Sequence, residues 1–236
     1  MVWRPLPHET SLPRLPGAVA WPYSPAEIWA DGAVHAVGVG AALAATLAFL
    51  FVFGPGLPSV AAFAAVGIYC VTLVASFGIS AAYNLWPQSR TKWMLRRLDH
   101  SAIYFLIAGT YTPFMVHLDM GGVLALVWLV AALGASIKLL LPGRFDRLSI
   151  LLYLAMGWGG VALYAEIGVG LTSGVALLIL VGGLLYSGGV VFHVLDRLRF
   201  HNAVWHLFVL AGAAVHFGAV VSLGWERALD MGASMA

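Results

Sequence analysis

Residues 59–98 read SVAAFAAVGIYCVTLVASFGISAAYNLWPQSRTKWMLRRL, and this stretch decides the fold. From Ser59 to Trp86 there is no charged residue; Arg90, Lys92, Arg96 and Arg97 then follow in quick succession. About 20 mostly apolar residues suffice for a helix to cross the hydrocarbon of a bilayer. The sequence is therefore one membrane crossing followed by a basic loop.

The same alternation runs outward in both directions. Spans are expected near 33–53, 59–86, 99–117, 121–141, 148–166, 171–194 and 203–223, an all-α bundle of seven transmembrane helices. Composition agrees: 61% of the 236 residues are hydrophobic, 9% are charged, and the mean hydropathy is +0.93. A soluble domain carries about 25% charged residues, so this chain lacks a water-facing surface. Residues 1–32 read as a cytoplasmic proline-rich tail ending in a short helix, residues 33–223 as the membrane domain, and residues 224–236 as an external tail. Ser24, Pro25 and Glu27 carry the residue types of a capped helix start.

Orientation follows from the basic residues. Arg4, Arg14, Arg90, Lys92, Arg96, Arg97, Lys138, Arg144, Arg147, Arg197 and Arg199 fall on one side, and only Arg227 on the other. The crowded side is the cytoplasmic one by the positive-inside rule. The N-terminus is then inside and the C-terminus outside, which excludes a G-protein-coupled receptor. A retinal protein is excluded too, since the only lysines are Lys92 and Lys138. The net charge of +2 gives no reason to expect nucleic acid, and Cys70 alone makes no disulfide framework.

Ionisable groups within a bilayer are costly and mark functional sites. Here they converge. Asp31 and His35 share a helix face at i, i+4, as do Ser80 and Asn84, and Asn202 and His206. Asp99 and His100 open the third span and His193 closes the sixth. All fall at the cytoplasmic ends of their helices, with His216 deeper. A shared polar network of Asp31, His35, Ser80, Asn84, Asp99, Asn202 and His206 is expected, with His193 and His201 interfacial. Gly182-Gly183 and Gly188-Gly189 permit close helix contact, within the bundle or between subunits.

Leu98–Phe114, LDHSAIYFLIAGTYTPF, closely resembles the signature of the hemolysin III family, bacterial relatives of the progestin and adiponectin receptors. Asn202–Gly212 with His216-Phe217 resembles that family's last span, and Ser80–Asn84 its second; Asp31 stands where an asparagine is common. The resemblance implies a seven-helix fold, a bacterial inner-membrane location, and a zinc ion held near the inner face by three histidines, with an aspartate on the metal-bound water. This chain departs from that pattern: Asn84 and Asn202 occupy two of the three histidine positions, leaving His206, with Asp99 as the outer carboxylate. An asparagine carbonyl is a poor substitute for imidazole on zinc. The expectation is a degenerate, metal-free site, no cofactor, and a binding or structural role with membrane lipid or another apolar ligand. A metal-dependent hydrolase of lipid amides or esters, with Asp99 and His206 central and zinc the possible metal, is the alternative. A pore-forming protein is a third reading, although the spans show no charged rings.

Overall fold

A computed structural model describes residues 23–141, 145–162, 170–195 and 197–234. The proline-rich stretch before Tyr23, with Trp3 and Trp21, lies outside the described residues. Among the described residues there are seven helices and no strands: α1 Pro25–Ala48, α2 Val60–Leu85, α3 Arg90–His117, α4 Gly121–Leu140, α5 Asp146–Ala162, α6 Ser173–Val194 and α7 His201–Ser234. Among the described residues, five segments are long and apolar enough to cross a membrane: Pro25–Gly56, Val60–Leu85, Gly121–Leu140, Ser173–Val194 and His201–Gly224. The molecule is a seven-helix membrane bundle.

Local signals explain the ends. Ser24 accepts from the Glu27 amide while the Glu27 carboxylate accepts from the Ser24 backbone, a complete capping box. The expected lead-in helix and the first span form one helix, because nothing between Pro25 and Ala48 breaks it. A π turn at Phe49–Phe53 and a 3-10 turn at Gly54–Gly56 end that crossing just past the expected limit of the span at 53. Ser59, Ser89 and Thr172 cap α2, α3 and α6. The helix of α7 continues to Ser234, past the expected end of the span at 223.

The helices pack inside-out. Leu47, Phe51, Val71, Leu126, Leu133, Leu184 and Leu207 are exposed, as a surface facing lipid should be. The interior holds Phe49, Tyr69, Leu73, Phe77, Phe114, Val175 and Val220, with Cys70 among them as a small buried hydrophobe. Helix α1 lies against α2 and α7, α2 against α3, α3 against α4, and α6 against α7; α5 touches α3, α4 and α6. The glycines of α6 serve this packing within the chain. A Cβ on Gly182 would collide with the His216 imidazole, and one on Gly189 would meet Phe208 and Trp205 of α7.

Candidate functional site

Asp31, one turn and a half into α1, is the hub of the basic end of the bundle. Its Oδ1 accepts from His206 Nδ1 at 2.6 Å and its Oδ2 from Asn202 Nδ2 at 2.9 Å. The i, i+4 spacing of Asn202 and His206 on α7 puts both donors on one face, so one carboxylate takes both. One turn further along α1, His35 Nδ1 donates to the Asp31 carbonyl at 2.8 Å. A carbonyl can only accept, so the proton sits on Nδ1 and Nε2 is bare. That Nε2 faces Ser80 Oγ at 3.3 Å and Asn84 Nδ2 at 3.4 Å.

Asn84 closes the network. Its Nδ2 donates to the Ser80 carbonyl at 3.0 Å and lies 3.3 Å from Ser80 Oγ, while its Oδ1 faces Asn202 Nδ2 at 3.4 Å. The His35 and His206 rings meet edge to face with centroids 4.3 Å apart. Asp99 on α3 lines the same end of the bundle, where the Ser80 side chain interacts with its carboxyl group. The structure thus gathers Asp31, His35, Ser80, Asn84, Asp99, Asn202 and His206. Asp31, His35 and Asn84 are buried, as an intramembrane polar cluster must be to avoid hydrocarbon.

The other histidines among the described residues have partners of their own. His100 Nδ1 donates to the Arg96 carbonyl, and His201 pairs with Tyr23. His193 packs its ring on Trp205. His216 donates to the Ile179 carbonyl and His117 to that of Gly170.

A cavity of about 790 Å³ opens beside the network. His35, Ser80, Asn84, Asp99, Asn202 and His206 line one end, and Ile103, Ile107, Leu154, Leu180 and Val209 form its apolar walls. On α3 the lining runs from Arg96 to Met115, a rise of about 28 Å at 1.5 Å per residue. That exceeds half of a hydrocarbon core about 30 Å thick.

A family profile described as "Haemolysin-III related" matches residues 26–217. The chain belongs to the hemolysin III family. This hemolysin III protein is 35% identical over 196 residues to the "Hemolysin-3 homolog" of Bacillus subtilis (strain 168), covering 81% of this chain and 92% of that protein. It is also 35% identical over 189 residues to "Hemolysin-3" of Bacillus cereus, covering 78% of this chain and 86% of the relative. The human "Monocyte to macrophage differentiation factor" is 31% identical over 163 residues, covering 65% of this chain and 67% of its own.

The donor chemistry decides how a zinc ion of the kind implied by the resemblance would fit. At two of the three positions this hemolysin III protein has carboxamides. Both turn an N–H inward, Asn202 onto Asp31 and Asn84 onto Ser80. An N–H donor cannot ligate a cation, so those three positions do not fit the ion. A different set does have suitable donors. One ligand atom each from Asp31, His35 and His206 lie within 4.8 Å of one another, so these residues could hold a metal ion.

Two partners of the site carried no motif, and a third, Glu27, was read only as part of a helix cap. Lys92 is buried and donates to the Asn84 and Trp86 carbonyls at 3.1 and 2.7 Å, satisfying the C-terminus of α2. It lies before the expected span at 99–117, and burial pushes its ammonium down to about 8. Glu27 Oε1 accepts the Phe200 amide at 3.0 Å. Phe200 has φ 61°, a left-handed turn just before α7, so Glu27 holds a strained junction that aims Asn202 and His206 at Asp31. Third, Asp146 joins Lys138 at 2.6 Å and Arg96 at 3.0 Å beside the cavity. Of that last trio, only the positive charges of Lys138 and Arg96 were singled out in the sequence.

Proposed function

We propose that this protein binds an amphiphile of the membrane, its polar head at the Asp31 network and its chain in the cavity, without the zinc that the family resemblance implies. The observation that carries this reading is the closure of the network: both asparagines are spent on hydrogen bonds that tie Asp31 to Ser80. An unpaired polar group here would cost several kcal/mol, so a site without its metal needs such partners. The cavity supports the ligand class, being polar at one end and apolar along its length. Its role is then binding within the membrane, and the relatives' hemolysin names add no pore to it.

A second reading is favoured by the Asp31, His35 and His206 donors. Zinc there would activate water for hydrolysis of lipid amides or esters. Those three residues would hold it, with Asp99 at the same end of the cavity.

Native mass spectrometry of the full chain released from detergent tests the binding reading. The wild type should carry a co-purified amphiphile, and Leu180→Trp, which fills the apolar length, should lose it while staying monodisperse. Equal occupancy in both, or none in the wild type with membrane lipid supplied, contradicts the reading.

A further inference from the structure

Polar side chains also stand along the apolar length of the cavity, and three of them are satisfied by the protein itself. Thr110 donates to the Leu106 carbonyl and Tyr111 to the Met156 carbonyl, each at 2.8 Å. Ser187 donates to the Gly183 carbonyl at 2.8 Å and accepts from Trp158 Nε1 at 2.9 Å. Two others are left open. Tyr186 on α6 is half-buried on the cavity wall, and its hydroxyl makes no hydrogen bond among the described residues. Beside it on the same wall is His216 of α7, the two ring centroids 5.5 Å apart. His216 Nε2 donates to the Ile179 carbonyl at 3.1 Å, so the proton sits there and Nδ1 is a bare acceptor. The ring edge bearing Cδ2 and Nε2 is the one fitted against Gly182, which leaves Nδ1 on the side away from that contact. The Tyr69 hydroxyl, within electrostatic range of Tyr186, is likewise buried with no partner among the described residues.

These groups lie deep in the bilayer. His216 is ten residues past His206 on one continuous helix, a rise of about 15 Å. Polar groups without partners are costly at that depth, and an intramembrane histidine marks a site for a polar ligand. The donor chemistry narrows the ligand. A neutral Nδ1 only accepts, whereas the Tyr186 hydroxyl can donate. A ligand hydroxyl is the smallest group that serves both, donating to Nδ1 while it accepts from Tyr186; an ether or ketone would leave Nδ1 unpaired.

We propose that Tyr186 and His216 form a second polar anchor in the cavity, which selects an amphiphile bearing a hydroxyl about 15 Å along the membrane normal from its head. The inference rests on the amphiphile-binding reading and narrows its ligand class to chains hydroxylated at depth.

The test is native mass spectrometry of the full chain in detergent, titrated with glycerol monostearate or with the same ester carrying a hydroxyl at its twelfth carbon. Head and chain length are shared, so the affinity ratio isolates the second anchor. The hydroxylated ester should bind about tenfold more tightly, the worth of one buried hydrogen bond. An ester hydroxylated at its third carbon, far short of His216, should bind like the plain one. Tyr186→Phe removes a single oxygen and should bring the ratio close to one. His216→Leu should lower it as well; if that variant fails to fold, Tyr186→Phe decides alone. Equal binding of the plain and twelfth-carbon esters to the wild type overturns the anchor and leaves the amphiphile reading standing, with water as the partner of both side chains. A tenfold ratio that survives Tyr186→Phe, as a merely structural tyrosine would allow, overturns the anchor too. So does a third-carbon ester that binds as tightly as the twelfth-carbon one. If the wild type binds none of these esters, both readings fall.

Discussion

Two carboxylates stand at the basic end of this bundle, and each ties helices together in a different way. Asp146 joins α5 to α4 and α3 through two cations, Lys138 and Arg96, and its side chain is 42% exposed. Asp31 joins α1 to α7 through a histidine and a carboxamide, and its side chain is 8% exposed. The first is a clamp between fixed charges. The second is made of groups that can exchange a proton or a ligand, and it is buried beside a hydroxyl and a cavity. Polar groups that are held by fixed opposite charges report on packing; those held by ambivalent partners report on chemistry.

Substitutions separate the two. Asp31→Ala has the largest expected effect. It strands the His206 and Asn202 donors in a buried site, at about 1–3 kcal/mol each, so thermal unfolding in detergent should show a loss of about 2–6 kcal/mol. A loss below 1 kcal/mol would mean that the network is not the hub described. Asp146→Ala comes next. It leaves the Lys138 ammonium, 3% exposed, with no carboxylate, but solvent at the half-exposed end screens the loss to about 1–3 kcal/mol. Lys138→Met should cost less than Asp146→Ala, because Asp146 keeps Arg96 and water; the reverse order would break the account of the clamp.

The clamp also has a pH signature. Burial raises the Asp146 carboxyl, but its bonds and charge contacts with Lys138 and Arg96 outweigh that and hold it below its ordinary 3.8. A depressed carboxylate gives stability that is complete above the unfolded value and lost as pH falls through the folded one. The gap between wild type and Asp146→Ala should therefore persist down to pH 4 and close only below it. Glu27→Gln is the smallest change. It keeps an acceptor for the Phe200 amide and should cost about 0.5–1 kcal/mol, the net worth of a weakened hydrogen bond. A far larger loss would make the α1–α7 junction, rather than Asp31, the centre of the site.

Much of this was legible in advance. Seven crossings follow from hydropathy because a bilayer demands continuous apolar helices, and the capping box at Ser24 and Glu27 was readable from spacing. The i, i+4 pairs placed Asp31 with His35, Ser80 with Asn84, and Asn202 with His206 on common faces. That Asp31 is the hub was not legible, since it needs α7 to approach α1 at the turn through Phe200. The inward course of Lys92 and the convergence of Arg96, Lys138 and Asp146 depend on side-chain direction between helices, which periodicity does not encode. The cavity was hidden for a related reason: it is space left between α3, α5, α6 and α7, and no residue codes for it alone.

The central claim is that a hydrogen-bond network replaces the zinc expected from the family. Its most direct test is the metal content of untagged protein purified without chelator, beside an Asn84→His/Asn202→His variant. The account predicts no stoichiometric metal in the wild type and near-stoichiometric zinc in the variant, where the imidazoles return to His206. One zinc per chain in the wild type, lost on Asp31→Ala, would contradict it and move the metal to Asp31, His35 and His206.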